Sequence, residues 1–195
     1  MTREEFIFEN LAAGAVLDVG NLGSQGRIHK MLIDKLGSEK VFGLDTADQS
    51  EAGCAFKNQH LGTAEAMPFP NEMFDVLYLG EILEHSWQPK KIMDECIRVL
   101  KSGGILIMDV PNIYSFSRML KYLLTGKDII IGDPDHKIFY SWAMLFNLAE
   151  KSGFGVLELI SDRLCTVKGK NFWLPDFGAF KYMGEHLLLA ARKLK

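Results

Sequence analysis

Val16-Leu17-Asp18-Val19-Gly20-Asn21-Leu22-Gly23-Ser24-Gln25-Gly26 is the stretch on which the fold turns: a short apolar strand with an acid near its end, a glycine-rich turn, and the start of a helix. Glycines in such a turn let backbone approach a ligand that a Cβ would block. Free amides at the helix start can also hold an anionic group. This is the geometry of a nucleotide site, although the same pattern can serve as a plain tight connection.

The flanking sequence repeats the alternation. Ala15 to Val19, Val41 to Leu44, Phe74 to Leu79 and Ile105 to Val110 read as buried strands, with a weaker one near Ala55 to Leu61. Gly26 to Leu36 and Pro89 to Leu100 carry apolar residues at helical spacing. Gly37 stops the first of these helices and Lys101-Ser102-Gly103-Gly104 the second. Strand alternating with helix predicts a parallel sheet covered on both faces. Further on, Tyr114 to Leu124 and Ser141 to Ser152 read as helices around a polar loop, Gly126 to Lys137, and Phe154 to Ile160 and His186 to Ala191 as strands.

Composition narrows the classes. The 195 residues carry 22 Lys plus Arg against 25 Asp plus Glu, a net charge of −3, and 48% are hydrophobic. That balance suits one globular domain with a sizeable core and gives no broad attraction to nucleic acid or anionic membrane. Three scattered cysteines, Cys54, Cys96 and Cys165, make neither a disulfide framework nor a paired zinc motif, so a reducing cytoplasm is expected. Met1 to Asn10 holds three acids where a secretion signal needs a basic start, and no apolar run nears the ~20 residues of a membrane span. His29, His60 and His186 have no partner at metal-ligand spacing, so no metal is expected.

Asp45 ends the second strand, where a carboxylate with two acceptor oxygens matches a vicinal diol; a strand-end cap is the plainer reading. Asp18 beside the glycine turn would repel a pyrophosphate and favours a ligand bearing an ammonium group. Next come Gly62-Thr63-Ala64-Glu65-Ala66-Met67-Pro68-Phe69-Pro70, then Phe74-Asp75-Val76, Gly80-Glu81-Ile82-Leu83-Glu84-His85 and Arg98-Val99-Leu100-Lys101-Ser102-Gly103-Gly104. In order, spacing and identity the series from Val16 to Asn112 resembles the class I S-adenosylmethionine-dependent methyltransferases, in particular the type 11-like domain.

The resemblance implies a single domain over 1–195, a Rossmann-like seven-strand sheet in the order 3-2-1-4-5-7-6 with the last strand antiparallel, and helices on both faces. S-adenosylmethionine is the implied cofactor and S-adenosylhomocysteine the product. Asp18, Gly20, Asn21 and Gly23 would shape the methionine pocket, Asp45 and Thr46 would sit at the ribose, and Ala64 and Glu65 would border the adenine. Leu79, Gly80 and Glu81 would line the cofactor near its sulfur. Three departures stand out: a glycine turn two residues longer than the compact form, Thr63 in place of an acid, and Ser102 in place of proline.

His85 and His136 are the candidate catalytic residues, each with a structural alternative as a loop-holding side chain. Residues from about 112 to 142 are expected to cover the acceptor. The aromatic stretch 171–182, with Phe172, Trp173, Phe177, Phe180 and Tyr182, either covers an apolar acceptor or packs the sheet edge. The expected activity is methyl transfer to a small-molecule acceptor, glycan-like, lipid- or quinone-like or another metabolite. The rivals are a noncatalytic S-adenosylmethionine-binding protein of the same fold and a NAD-dependent dehydrogenase.

Overall fold

Apolar runs without polar interruption need cover on both faces, and the chain supplies it. The computed structural model describes residues 1–126, 134–162, 165–167, 170–172 and 178–194. Its strands are β1 (Val16–Val19), β2 (Val41–Asp45), β3 (Gln59–Leu61), β4 (Phe74–Gly80), β5 (Leu100–Pro111), β6 (Phe154–Ser161), β7 (Cys165–Val167), β8 (Lys170–Phe172) and β9 (His186–Lys193). Its α-helices are α1 (Arg3–Glu9), α2 (Arg27–Leu36), α3 (Pro89–Val99), α4 (Phe116–Thr125) and α5 (Trp142–Lys151). Seven strands form one sheet, ordered β3-β2-β1-β4-β5-β9-β6, while β7 and β8 pair separately. The neighbours from β3 through β5 are parallel, and β9 lies antiparallel between β5 and β6. The order that the resemblance implied is therefore the order found.

Strand periodicity divides the core in two. Leu17, Val19, Leu77, Leu79, Leu106 and Met108 meet α3 and α5 through Ile92, Met93, Cys96, Leu145 and Ala149. On the other face Val16, Val41, Val76, Tyr78, Ile105 and Ile107 meet Phe6 and Ile7 of α1 and Leu32 of α2. Asp18 and Asp109 are buried too, on strands that otherwise bury apolar side chains.

Besides the β7–β8 pair, which the sequence reading did not contain, three elements differ from it. Arg3–Glu9 is a helix, fixed by a capping box in which Glu5 N donates to Thr2 Oγ1 at 3.2 Å and Thr2 N to Glu5 Oε2 at 2.7 Å. Strand β3 is only Gln59–Leu61, because Asn58 Nδ2 is engaged by the carbonyls of Ser38 and Val41 and the preceding residues are turns. Strand β5 begins at Leu100 rather than after Gly104: Leu100 pairs with Phe74, the register shifts before Val76 pairs with Ile105, and Gly103 takes a φ of +75° in between.

Because Phe6 is buried against β1, β4 and β5, α1 is part of the fold. Phe6→Ala should lower stability by about 3–5 kcal/mol. Urea unfolding with an unchanged m-value would record it; a loss under about 1 kcal/mol would mean that α1 is only loosely attached.

Candidate functional site

Parallel strands bring their carboxyl ends to one edge, and there the chain turns sharply after β1. Gly20 has a φ of +74°, its N–H donates to Leu44 O at 2.7 Å, and a Cβ on it would overlap Ile82. Ser24, Gln25 and Gly26 then take left-handed values of +51°, +56° and +69° in succession before α2 begins. Non-glycine residues held there store backbone strain of order 1–3 kcal/mol each. The longer glycine turn is thus accommodated as a left-handed run.

One carboxylate ties two loops of this edge together. Asp45 Oδ2 accepts from Leu22 N and Oδ1 from Ala47 N, both at 3.0 Å. Asn21 is exchanged with Gln59, its Nδ2 donating to Gln59 Oε1 at 2.7 Å and its Oδ1 accepting from Gln59 Nε2 at 3.0 Å. Two hollows open on the edge. The larger, about 280 Å³, is lined among others by Asp45, Thr46, Ala64, Glu65, His85 and Ser86. The smaller, about 70 Å³, is lined among others by Arg3, Asp18, Asn21, Gly23, Arg27 and Glu81. They meet at Val19 and Gly20, which line both.

Of the residues singled out from sequence, Asp45, Thr46, Ala64, Glu65 and His85 line the larger hollow, Asp18, Asn21, Gly23, Gly80 and Glu81 the smaller, and Gly20 both. Leu79 is fully buried in the core and lines neither. Asp18 is not an open carboxylate: His29 Nδ1 lies 3.0 Å from its Oδ2, and both side chains are almost wholly buried. Burial raises the Asp18 pKa, against the pull of the His29 contact. Glu65 Oε1 accepts from Ser86 Oγ at 2.6 Å, fixing the far wall. Arg3, Arg27, Ile82 and Ser86 escaped the sequence reading; the capping box at Thr2 was the available signal for Arg3.

Glu81, the residue after β4, has a φ of +54° and carries a charge network. Its Oε1 lies 2.8 Å from Arg3 Nη2 and 3.1 Å from His186 Nε2, while His186 Nδ1 lies 2.8 Å from Asp162 Oδ2. The His186 hydrogen bond leads, with Arg3 adding, in pulling the Glu81 pKa down to about 2 against burial. Arg3 Nε also sits 3.3 Å from Asp109 Oδ2, and Tyr78 Oη donates to Asp109 Oδ1 at 2.6 Å. Burial still holds the Asp109 pKa up at about 6.

His136 is brought to His85, with ring centroids 4.8 Å apart. The cause is backbone: Lys137 N and Ile138 N both donate to Glu84 O, at 2.7 and 3.2 Å. Tyr140 is buried and its O accepts from Ile113 N at 3.1 Å, so the end of the expected cover is stitched to the sheet. Residues 127–133 of that cover and 173–177 of the aromatic stretch lie outside the described residues. Tyr182 stacks on Trp142, 5.3 Å between centroids, and both line an apolar hollow of about 500 Å³ with Tyr114, Met119 and Met183. Glu84 is buried with neither carboxylate oxygen hydrogen-bonded among the described residues, and burial pushes its pKa up to about 8. The expectation of no metal rested on spacing along the chain, which cannot show that Glu84, His85 and His136 meet in space.

The chain is similar to known methyltransferases in sequence and in fold. Residues 17–108 match the family model described as a methyltransferase domain. A probable S-adenosylmethionine-dependent methyltransferase of Mycolicibacterium smegmatis is 28% identical over 166 residues, 81% of this chain and 60% of that protein. A ubiquinone biosynthesis O-methyltransferase of Psychrobacter arcticus is 26% identical over 189 residues, 89% of this chain and 71% of its own. The chain thus spans less than two thirds of the Mycolicibacterium relative. Among solved structures, a methyltransferase from Archaeoglobus fulgidus superposes with a TM-score of 0.70 at 17% identity, covering 97% of this chain and 90% of that one. A possible histamine N-methyltransferase from Thermotoga maritima gives 0.68 at 19%, covering 97% and 87%.

The His186 network predicts a pH dependence. Burial pulls the His186 pKa down, but the bonds to Asp162 and Glu81 outweigh it and raise it from 6.5 to about 9. A raised pKa contributes stability that is full below pH 6.5 and lost as pH climbs through about 9. Thermal unfolding should therefore show a decline between those values that His186→Gln flattens. A wild-type decline that persists in the variant would assign it to another group.

Proposed function

We propose, for a chain that belongs through residues 17–108 to the class I S-adenosylmethionine-dependent methyltransferases, that the joined hollows hold S-adenosylmethionine and that the chain methylates a small-molecule acceptor. The observation that carries the reading is the pair of hollows meeting at Val19 and Gly20, each with its own chemistry. The larger offers Asp45, whose oxygens each accept one backbone N–H and keep a lone pair for a ribose hydroxyl, beside Ala64 and Glu65 where an adenine would lie. The smaller offers acids, Asp18 and Glu81, and guanidinium groups, Arg3 and Arg27, which suits an amino acid's ammonium and carboxylate together. Asp18 acts there from its place beside His29, as a buried negative wall and not as a free ligand.

When bound, S-adenosylmethionine supplies a methyl group already activated by its positive sulfur. The chain's own residues then have to position more than to activate. Gly20 gives close backbone approach, Asp45 fixes the turn after β1, and Glu65 with Ser86 fixes the opposite wall. Strong anionic stabilisation at the sulfur would oppose the reaction, because that charge vanishes in the transition state. Glu81 is consistent with this, since its charge is shared by Arg3 and His186. His85 lines the larger hollow and the His136 ring lies against it, which makes both candidate acceptor-side groups. The apolar hollow around Trp142 and Tyr182, beyond β5, supports an acceptor with an apolar or aromatic portion. The noncatalytic alternative shares the cofactor contacts and differs only in turnover.

Titration calorimetry tests the reading. Saturable binding of S-adenosylmethionine or S-adenosylhomocysteine is expected, and Asp45→Asn, which keeps one acceptor oxygen, should weaken it by about 1–3 kcal/mol. Saturable NAD binding with no heat from either adenosyl ligand would overturn it. Methyl transfer from labelled donor to an acceptor panel separates the enzyme from a silent binder.

A further inference from the structure

Glu84 has no part in the cofactor contacts above, yet it is a carboxylate 1% exposed with both oxygens unpartnered among the described residues. Buried polar groups of that kind require a partner. We infer that Glu84, His85 and His136 bind one divalent cation of the first transition row.

A carboxylate oxygen of Glu84 and one ring nitrogen from each histidine lie within 4.8 Å of one another. Ligand atoms at about 2.1 Å from a tetrahedral ion are ~3.4 Å apart, so side-chain rotations that close the widest pair by at most about 1.4 Å complete the set. The positions are held by backbone: Lys137 N and Ile138 N bond Glu84 O, and His85 N donates to Ile82 O at 3.1 Å. Both imidazoles are half-buried, which leaves an ion a way in. Glu81, the neighbouring acid, is engaged by Arg3 and His186 and stays outside the group.

Two imidazole nitrogens and one carboxylate suit Zn²⁺, Co²⁺ or Mn²⁺ better than Mg²⁺ or Ca²⁺, which favour oxygen alone. Three protein ligands also leave positions open. His85 lines the larger hollow as well, so those positions border the cleft, where a Lewis acid would polarise a ligand oxygen. That last role rests on the methyl-transfer reading; the binding of the ion does not.

The full chain, stripped with a chelator and held without S-adenosylmethionine, is titrated with Co²⁺ while its visible absorption is followed and its stoichiometry is checked by equilibrium dialysis. One ion per chain is expected, with a rise in thermal midpoint. His85→Ala and His136→Ala should each weaken binding by at least about 100-fold, since even outer-shell partners of metal ligands are worth roughly 10–100-fold. His60→Asn, a histidine outside the group, should leave it unchanged. Circular dichroism checks that each variant folds, and His136, on a loop, is the substitution least able to unfold the chain. Absence of saturable Co²⁺ binding, or binding that survives both histidine substitutions, overturns the site. Failure of cofactor binding in calorimetry with Co²⁺ binding intact would sink only the methyl-transfer reading.

Discussion

Everything at the working edge depends on the parallel register of β4 between β1 and β5. Val19 stands opposite Leu79, and Gly80 opposite Asp109, so the chain leaves these strands at one level. Parallel pairing requires covered crossovers, which is why α2 and α3 follow β1 and β4 and why the carboxyl ends are left free for loops. A one-residue slip of β4 would send Tyr78 to the other face and its Oη away from Asp109. Leu79 illustrates the same rule: it is next to the site in sequence but points into the core.

The edge concentrates charge that a core would not tolerate. Asp18, Asp109 and Glu84 are buried, and desolvation raises the pKa of each. Asp18 is compensated by His29, and Asp109 by Arg3 and Tyr78. Breaking such a pair by removing one member leaves a buried charge uncompensated, which typically costs 3–5 kcal/mol. Arg3 therefore does two things at once. It closes one side of the smaller hollow, and it fastens α1 to the ends of β4 and β5.

The loops that shape the hollows are held by side chains reaching back to backbone. Arg98 donates to Met67 O at 2.8 Å and Phe69 O at 2.6 Å, and Glu95 Oε2 accepts from Met67 N at 2.7 Å. Arg98 and Glu95 also pair with each other at 2.7 Å. This clamp from α3 sets the segment after β3 that carries Ala64 and Glu65. A motif residue distant from the cleft thus acts through the loop it holds.

The sequence by itself determined the strand and helix alternation and the turns that gather at one sheet edge, because these follow from local periodicity and from residues adjacent along the chain; the sheet order came only through the family resemblance. That Asp45, Thr46, Ala64, Glu65, Gly20 and Gly80 gather around the hollows was legible for that reason. Only the tertiary structure decided which face each acid takes and what it meets: His29 at Asp18, Arg3 and His186 at Glu81, Tyr78 at Asp109. It alone brought His136 beside Glu84 and His85, through two amides on one carbonyl. Burial and pairing depend on contacts between segments far apart in the chain, and no spacing rule read along the sequence contains them.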